Sequence, residues 1–471
     1  MKRRSWFALV CVSSLAACGG DDGGGSADFP LHSCADVEGT CYEVGADEEE
    51  RLQEVSNSLE DGDTLILGLG VFELDNQVTT RGNQITVLGQ GMGTEGSMDE
   101  GTILDFAGQT AQSNGLDHKG NNFLVADLAI MDAVKDGLRI EDSDQVTIQR
   151  VRVTWREIGS MENGAYGIYP VKVSRVLLED SAAYNSSDAG IYVGQCRHAV
   201  VRNNIAMGNV AGIEIENTQY ADVYGNHAED NTGGLVFFDL PGNPVVGHDI
   251  KIHDNMIVNN NRDNFAPGGT VRQIPPGTGT FGLASRRVEV FNNTYENNNT
   301  VDIALLNGLA IDPDEAVWEL TKTELVGDLN NTDVIDNGDT IFNYRSDNIY
   351  IHDNTHMGSG TDTSGATGNQ ELGILVGALF GETPVDEILY DTWGESSFSA
   401  SDASMNSNDN HICLGNNAGA TFVSLNLEAV LSGGSFPTLD DVFRPAAPFA
   451  PFDCGEFQNG PLADPDMAGA G

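Results

Sequence analysis

The chain has 471 residues, 56 of them glycine, and sets 71 acidic side chains against 23 basic ones for a formal net charge of −48. A charge of that sign repels nucleic acid and other polyanions unless cations intervene, so no nucleic-acid partner is expected. A phosphate-binding loop, a dinucleotide fingerprint, a Ser-His-Asp arrangement and a CxxC pair are all absent from the sequence, which leaves nucleotide, zinc-ribbon and c-type haem chemistry without support.

At the N-terminus Lys2, Arg3 and Arg4 precede an apolar run over residues 6–17. The run is too short to span a bilayer and reads as a signal segment, residues 1–17. Its end, Leu15-Ala16-Ala17-Cys18, resembles the bacterial lipobox, which implies cleavage before Cys18 and lipidation of its thiol. Gly19 rather than Asp comes next, the pattern of lipoproteins sent on to the outer membrane. The expectation is an exported cell-envelope protein anchored by its N-terminal lipid, with a Gly/Asp/Ser tether over residues 18–33. Cysteine usage agrees with export: Cys34 with Cys41, and Cys413 with Cys454, are expected to form disulfides, and Cys196 sits at a core-facing position.

Residues 34–62 read as an N-terminal cap. Within them, residues 47–59 place Leu52, Val55 and Leu59 at helical spacing after an acidic start. A helix there would cover the first coil of a repeat array, because an open solenoid end is an aggregation-prone edge. The repeats themselves are marked by asparagine. Asn204, Asn226, Asn255, Asn293, Asn354 and Asn416 each lie three residues after an apolar strand-like position (Val201, Val223, Ile252, Val290, Ile351 and Cys413), at spacings of 22, 29, 38, 61 and 62. Asn209, Asn231, Asn260 and Asn298 form a second column, five residues after the first. Short β-branched strands at a period near 22 residues predict an all-β solenoid over residues 63–420, with asparagine amides stacked between coils. Insertions at 262–281, 308–347 and 358–410 interrupt the repeat, and residues 421–471 read as a C-terminal cap and tail, a cap strand or wrap followed by a disordered end.

A third recurring strand carries the candidate chemistry. Alternation turns Leu138, Ile168, Ile191, Ile213 and Leu235 inward, and sets Arg139, Tyr169, Tyr192, Glu214 and Val236 outward. Glu141, Val171, Gly194, Glu216 and Phe238 form the next outward column, with Lys172, Asn217 and Asp239 at strand ends. Aromatic rings stack on sugars while polar groups hold hydroxyls, so Tyr169, Tyr192, Arg139, Asn217 and Arg262 (at the first insertion) are the candidate ligand contacts. For catalysis, Lys172 or Arg139 could act as the base of a β-elimination, and Glu214 with Glu216 or Asp239 could supply the carboxylate pair of a glycosidase. No metal site is assigned. Ca²⁺ is the one cofactor considered, with Asp312, Asp314 and Glu315, or Asp333, Asp336 and Asp339, as local oxygen donors that complete no calcium loop.

With this repeat the chain resembles the right-handed parallel β-helix superfamily of pectate-lyase-like enzymes, mannuronan C5-epimerases and the copper-pathway protein NosD, over roughly residues 60–420. The nearest local match is Asn163-Gly-Ala-Tyr166-Gly167-Ile168-Tyr169-Pro170-Val171, similar to the epimerases' Tyr-Gly-Phe-Asp-Pro-His. Tyr166, Gly167 and Pro170 match, while Tyr169 and Val171 stand where that family has its catalytic Asp and His. The resemblance implies a right-handed parallel β-helix with an N-terminal helical cap, long loop insertions and a disulfide-bearing C-terminal cap. It also implies an envelope lipoprotein that binds a polysaccharide or an envelope protein. A lyase- or hydrolase-type enzyme acting on an acidic glycan, and an accessory factor for a periplasmic metalloenzyme, are the alternatives.

Overall fold

The computed structural model describes residues 31–94, 100–329, 332–363, 371–431 and 437–468. The expected lipidation site Cys18 and the signal segment lie outside them.

Each coil contributes three strands, one to each of three parallel strips. In one coil these are Arg197–Arg202 in strip one, Ile205–Met207 in strip two and Ala211–Glu216 in strip three. Every strand pairs in parallel with its counterparts in the neighbouring coils. Along strip one Val201 faces Val223, then Ile252, Val290 and Ile351. Alternation turns these β-branched side chains inward, where they form one continuous buried core running the length of the stack. Among the described residues strip three holds 11 strands, and the parallel ladder reaches back to Cys41–Val44, which pairs with Thr64–Leu67.

The turn between strips one and two is two residues long in coil after coil, as at Asn203-Asn204, Asp254-Asn255 and Asp353-Asn354. Its first residue is left-handed, with φ between 51° and 56° at Asp180, Asn203, Asp254, Asn292 and Asp353, a conformation Asn and Asp tolerate better than other side chains. Its second residue builds the ladder. Asn204 Nδ2 donates to Asn226 Oδ1 at 3.0 Å, Asn226 to Asn255 at 3.0 Å, Asn255 to Asn293 at 2.9 Å and Asn293 to Asn354 at 3.0 Å. The second column does the same from Asn209 through Asn231 and Asn260 to Asn298. Glycine opens the next strand because a Cβ at Gly190 or Gly212 would lie 2.6 or 2.8 Å from those amides.

One expected ladder position is corrected. Ile351 pairs with Leu414, not Cys413, so Asn354 donates to Asn417 at 3.1 Å, while Asn416 is exposed and donates to Asp353.

Both ends of the stack are closed. Helix Glu49–Ser58 buries Leu52 and Val55 against the first coils, as its spacing predicts. At the other end Phe452 packs on Phe422 and Tyr390. The disulfides Cys34–Cys41 and Cys413–Cys454 are formed, and Cys196 is a free, buried core residue. The tail then returns along the outside of the stack. The Gln458 carbonyl accepts from Arg287 and Asn348, Asp464 pairs with Lys251, Asp466 N–H donates to His198 and the Ala468 carbonyl accepts from Arg175.

Insertions emerge at the two turns that flank strip three, and they fold over its outer face. There they form a second hydrophobic core outside the stack. Val236, Phe238, Phe281 and Leu283 of the strip pack with Val271 and Ile274 from the first insertion, Trp318 from the second, and Leu372, Val376 and Phe380 from helix Glu371–Phe380. The outward column expected as an exposed strip is therefore open only toward the N-terminal coils. From Tyr192 onward it lies under cover.

The ladder register is open to a direct test. Asn226→Ala, which orphans buried amide partners, should lower unfolding free energy by about 1–3 kcal/mol in urea titration, whereas Asn416→Ala should stay within about 0.5 kcal/mol of wild type.

Candidate functional site

The uncovered and covered parts of strip three meet at three tyrosines. Tyr169 faces Arg139 in one coil, and Tyr192 faces Glu214 in the next. Tyr166 joins them because the strand bends at Gly167, whose Cβ direction points inward toward Ala183, leaving Tyr166 on the outside with Tyr169. Ring centroids are 4.6 Å apart for Tyr166–Tyr169 and for Tyr166–Tyr192, and 4.9 Å for Tyr169–Tyr192, the last edge to face. Pairs of this kind contribute about 0.5–1.5 kcal/mol each beyond their buried area. Tyr166 and Tyr169 are half-buried at the surface, and Tyr192 is buried beneath them.

Tyr192 reaches sideways across its own strand. A Cβ at Gly194 would sit 2.1–2.5 Å from its ring, so glycine there is what lets the ring lie flat on the sheet. Gly194 faces Glu216 in the next coil, which leaves the Tyr192 hydroxyl beside the Glu216 carboxylate. Asn243 Nδ2 also donates to Glu216, at 2.8 Å. Asn217, predicted as a ligand contact, instead holds that loop: its Oδ1 accepts from Asn243 and Leu240, and its Nδ2 donates to Val245.

Four carboxyl groups surround the tyrosines. Glu214 and Glu216 are buried side by side, Asp188 lies beside the Tyr166 hydroxyl, and Asp136 lies beyond Tyr166 at 1% exposure. Burial pushes the pKa of Glu214 and of Asp188 upward, reinforced by the like charge of their neighbours, and burial also raises Glu216. Burial raises Asp136 from 3.8 to about 6, opposed by Lys135 and Arg139. The three tyrosine hydroxyls are raised by the same desolvation and stay protonated as donors.

The structure separates the remaining predicted residues from this cluster. Arg139 lies 5.8 Å over the Tyr169 ring and donates to Glu141 at 2.8 Å, so it sits at the open rim. Lys172 is exposed and pairs with Glu141 at 3.7 Å. Asp239 is fully buried and accepts from Arg286 at 2.7 Å and from Gly247 N–H, tying a strip-three turn to the covering loops. Arg262 binds Asp230 at the corner between strips two and three. Sequence reasoning gives no role to Tyr166, Asp136, Asp188 or Asn243. Tyr166 and Asp188 precede the regular part of their strands, where strict alternation no longer says which side a residue faces. Among the described residues the single cluster of three or more potential metal ligands is His411 with Cys413 and Cys454, whose sulfurs are already joined in a disulfide.

A family model described as a right-handed beta helix region matches residues 136–313, the coils that carry the tyrosines and carboxyls. The chain is a right-handed parallel β-helix. Among solved structures it is similar to the A-module of an Azotobacter vinelandii mannuronan C-5 epimerase, at 15% identity and a TM-score of 0.44 over 79% of this chain and 90% of that one. It is also similar to a pectate lyase, at 14% identity and a TM-score of 0.38 over 69% of this chain and 77% of the other. A third is a mannuronic-acid-specific family 6 polysaccharide lyase from human gut microbiota, at 12% identity and a TM-score of 0.38, covering 84% and 85%. No curated protein matches the chain.

The carboxyl cluster has a pH signature. Asp136 carries its proton more tightly in the folded chain than in the unfolded one, so its stabilising contribution is complete below pH 3.8 and is lost as pH rises through about 6. Asp136→Asn should flatten the fall in stability between roughly pH 4 and 7 by on the order of 2–3 kcal/mol, read by urea titration across that range.

Proposed function

We propose that this protein is an exported, lipid-anchored envelope protein that binds a glycan in the cleft formed by Tyr166, Tyr169 and Tyr192 and the carboxyls behind them. The observation that carries the reading is the position of the tyrosines. They stand where the covering insertions end, with two half-exposed aromatic faces backed by hydrogen-bonding groups that solvent does not saturate. Sugar rings present apolar faces to aromatics and hydroxyls to carboxylates and amides, which is the chemistry on offer here. Arg139 at the rim and Asn243 at the back add donors on either side. The export and lipid anchor rest on the N-terminal segment ending at Cys18. An envelope protein partner is the remaining possibility for the same surface.

Hydrolysis of the bound glycan is a second reading, favoured by one feature. Glu214 and Glu216 lie side by side where burial favours the protonated form of each, and Asp188 lies beside the pair. A carboxyl held protonated next to an ionised one is how glycosidases obtain an acid and a base from the same side-chain type.

A glycan screen on the purified protein, with and without Ca²⁺, tests both. Binding should weaken at least about tenfold in Tyr169→Ala. New reducing ends that vanish in Glu214→Gln would establish hydrolysis, and binding without any turnover would leave the protein a recognition module. Wild-type binding in full by Tyr169→Ala would overturn the placement of the site.

A further inference from the structure

The cleft has an electrostatic character that selects among glycans. Among the described residues, no lysine, arginine or histidine forms a salt bridge with Asp188, Glu214 or Glu216, while the cations around them pair elsewhere; the groups beside them are each other, Asp136, Tyr166, Tyr192 and Asn243. The nearby cations are already committed at the rim, Arg139 and Lys172 to Glu141 and Lys135 to Asp136 at 3.9 Å. Two buried acceptor atoms, Glu214 Oε2 and Asp136 Oδ1, have no hydrogen-bond donor among the described residues, and they belong to residues 2% and 1% exposed. Buried carboxylates without counter-charge are costly, and either protons or a cationic ligand must offset them. A single metal ion does not match the layout, since these carboxylates do not converge within 4.8 Å as a set of three ligands. Their spread over two coils instead suits an extended ligand that presents an ammonium group together with several hydroxyls. The whole chain, at −48, attracts such a ligand and repels a polyuronate.

Resting on the cleft reading above, we propose that the glycan is a cationic one, a chain of 2-amino sugars with free ammonium groups. Asp188 still reaches solvent, beneath the first insertion, where a Cβ at Gly269 would approach its Oδ2 to 3.6 Å. It is the carboxylate an entering ammonium meets first. Tyr169 carries the adjoining sugar face, and Glu216, oriented by Asn243 and flanked by the Tyr192 hydroxyl, takes a hydroxyl or the charge behind it. The same arrangement lets the ligand's charge displace the cluster's protons.

Calorimetric titration of the purified full-length protein tests this with three probes: a glucosamine hexamer, an N-acetylglucosamine hexamer and an oligogalacturonate, near pH 5.5 at low salt. The glucosamine hexamer should bind at least about tenfold tighter than its acetylated counterpart, and oligogalacturonate should not bind. Asp188→Asn and Glu216→Gln, both isosteric, should each erase the preference, while Tyr169→Ala weakens both amino-sugar probes alike. Circular dichroism of each variant verifies that it has folded. Equal affinity for the free and acetylated hexamers, or a preference for the uronate, would overturn the charge assignment and leave the cleft in place. Absence of binding by all three probes would overturn the cleft reading along with it.

Discussion

The two-residue asparagine turn between strips one and two governs the architecture. Its first residue must accept a left-handed backbone and its second must pass an amide hydrogen bond to the coil above and below. Neither requirement tolerates an inserted residue, because a shift of one position would break the ladder on both sides and leave buried amides unpaired. Along the asparagine ladder, length variation is consequently forced to the other two corners, both of which border strip three; the long connection at the first corner between Thr86–Leu88 and Thr102–Asp105 precedes the ladder. The loops that leave those corners cannot reach any surface more readily than the outer face of that strip, and that is where they pack.

Packing the loops there divides strip three. Beyond Glu214 and Glu216, from Val236 and Phe238 on, the outer face is apolar and becomes a second core, holding helix Glu371–Phe380 and Trp318. Before it the face carries Arg139, Glu141 and Lys172 in contact with water. The boundary between a wet face and a dry one is where titratable groups are most strongly perturbed, since they keep access to ligands while losing most of their hydration. Glu214, Glu216, Asp188 and Asp136 occupy that boundary, with the tyrosines as its outer wall. The position of the site is thus set by where the cover stops.

Much of this was legible in the sequence. The asparagine columns report their own register because a ladder needs the same side chain at the same place in successive coils, and alternation sorts Ile191 and Ile213 from Tyr192 and Glu214 without error. The capping helix and both disulfides also emerge from local pattern. The ladder assignment failed at Asn416, after the longest insertion, where Cys413 and Leu414 are equally apolar and only the neighbouring coil decides which faces Ile351. Burial of Glu214 and Glu216 was hidden because loop destinations are tertiary. A signal was nevertheless present: the outward positions turn from Arg139, Tyr169 and Glu214 to Val236 and Phe281, and an apolar outward column means that something covers it. Asp188 and Tyr166 left no comparable trace, since each lies where its strand bends out of alternation.

A second aromatic row offers a direct contrast with the cleft. Tyr224, His253, Phe291 and His352 stack face to face along strip one, with centroids 4.6–5.2 Å apart and planes within 13°, so their faces are spent on one another. Hydrogen–deuterium exchange in the presence of a bound glycan separates the two surfaces in one experiment. The account predicts ligand-induced protection at residues 165–170, 187–194 and 264–273, the tyrosine strands and the overhanging loop. Protection confined to residues 222–226, 251–255 and 289–293 would contradict it and move the site to the opposite face of the stack.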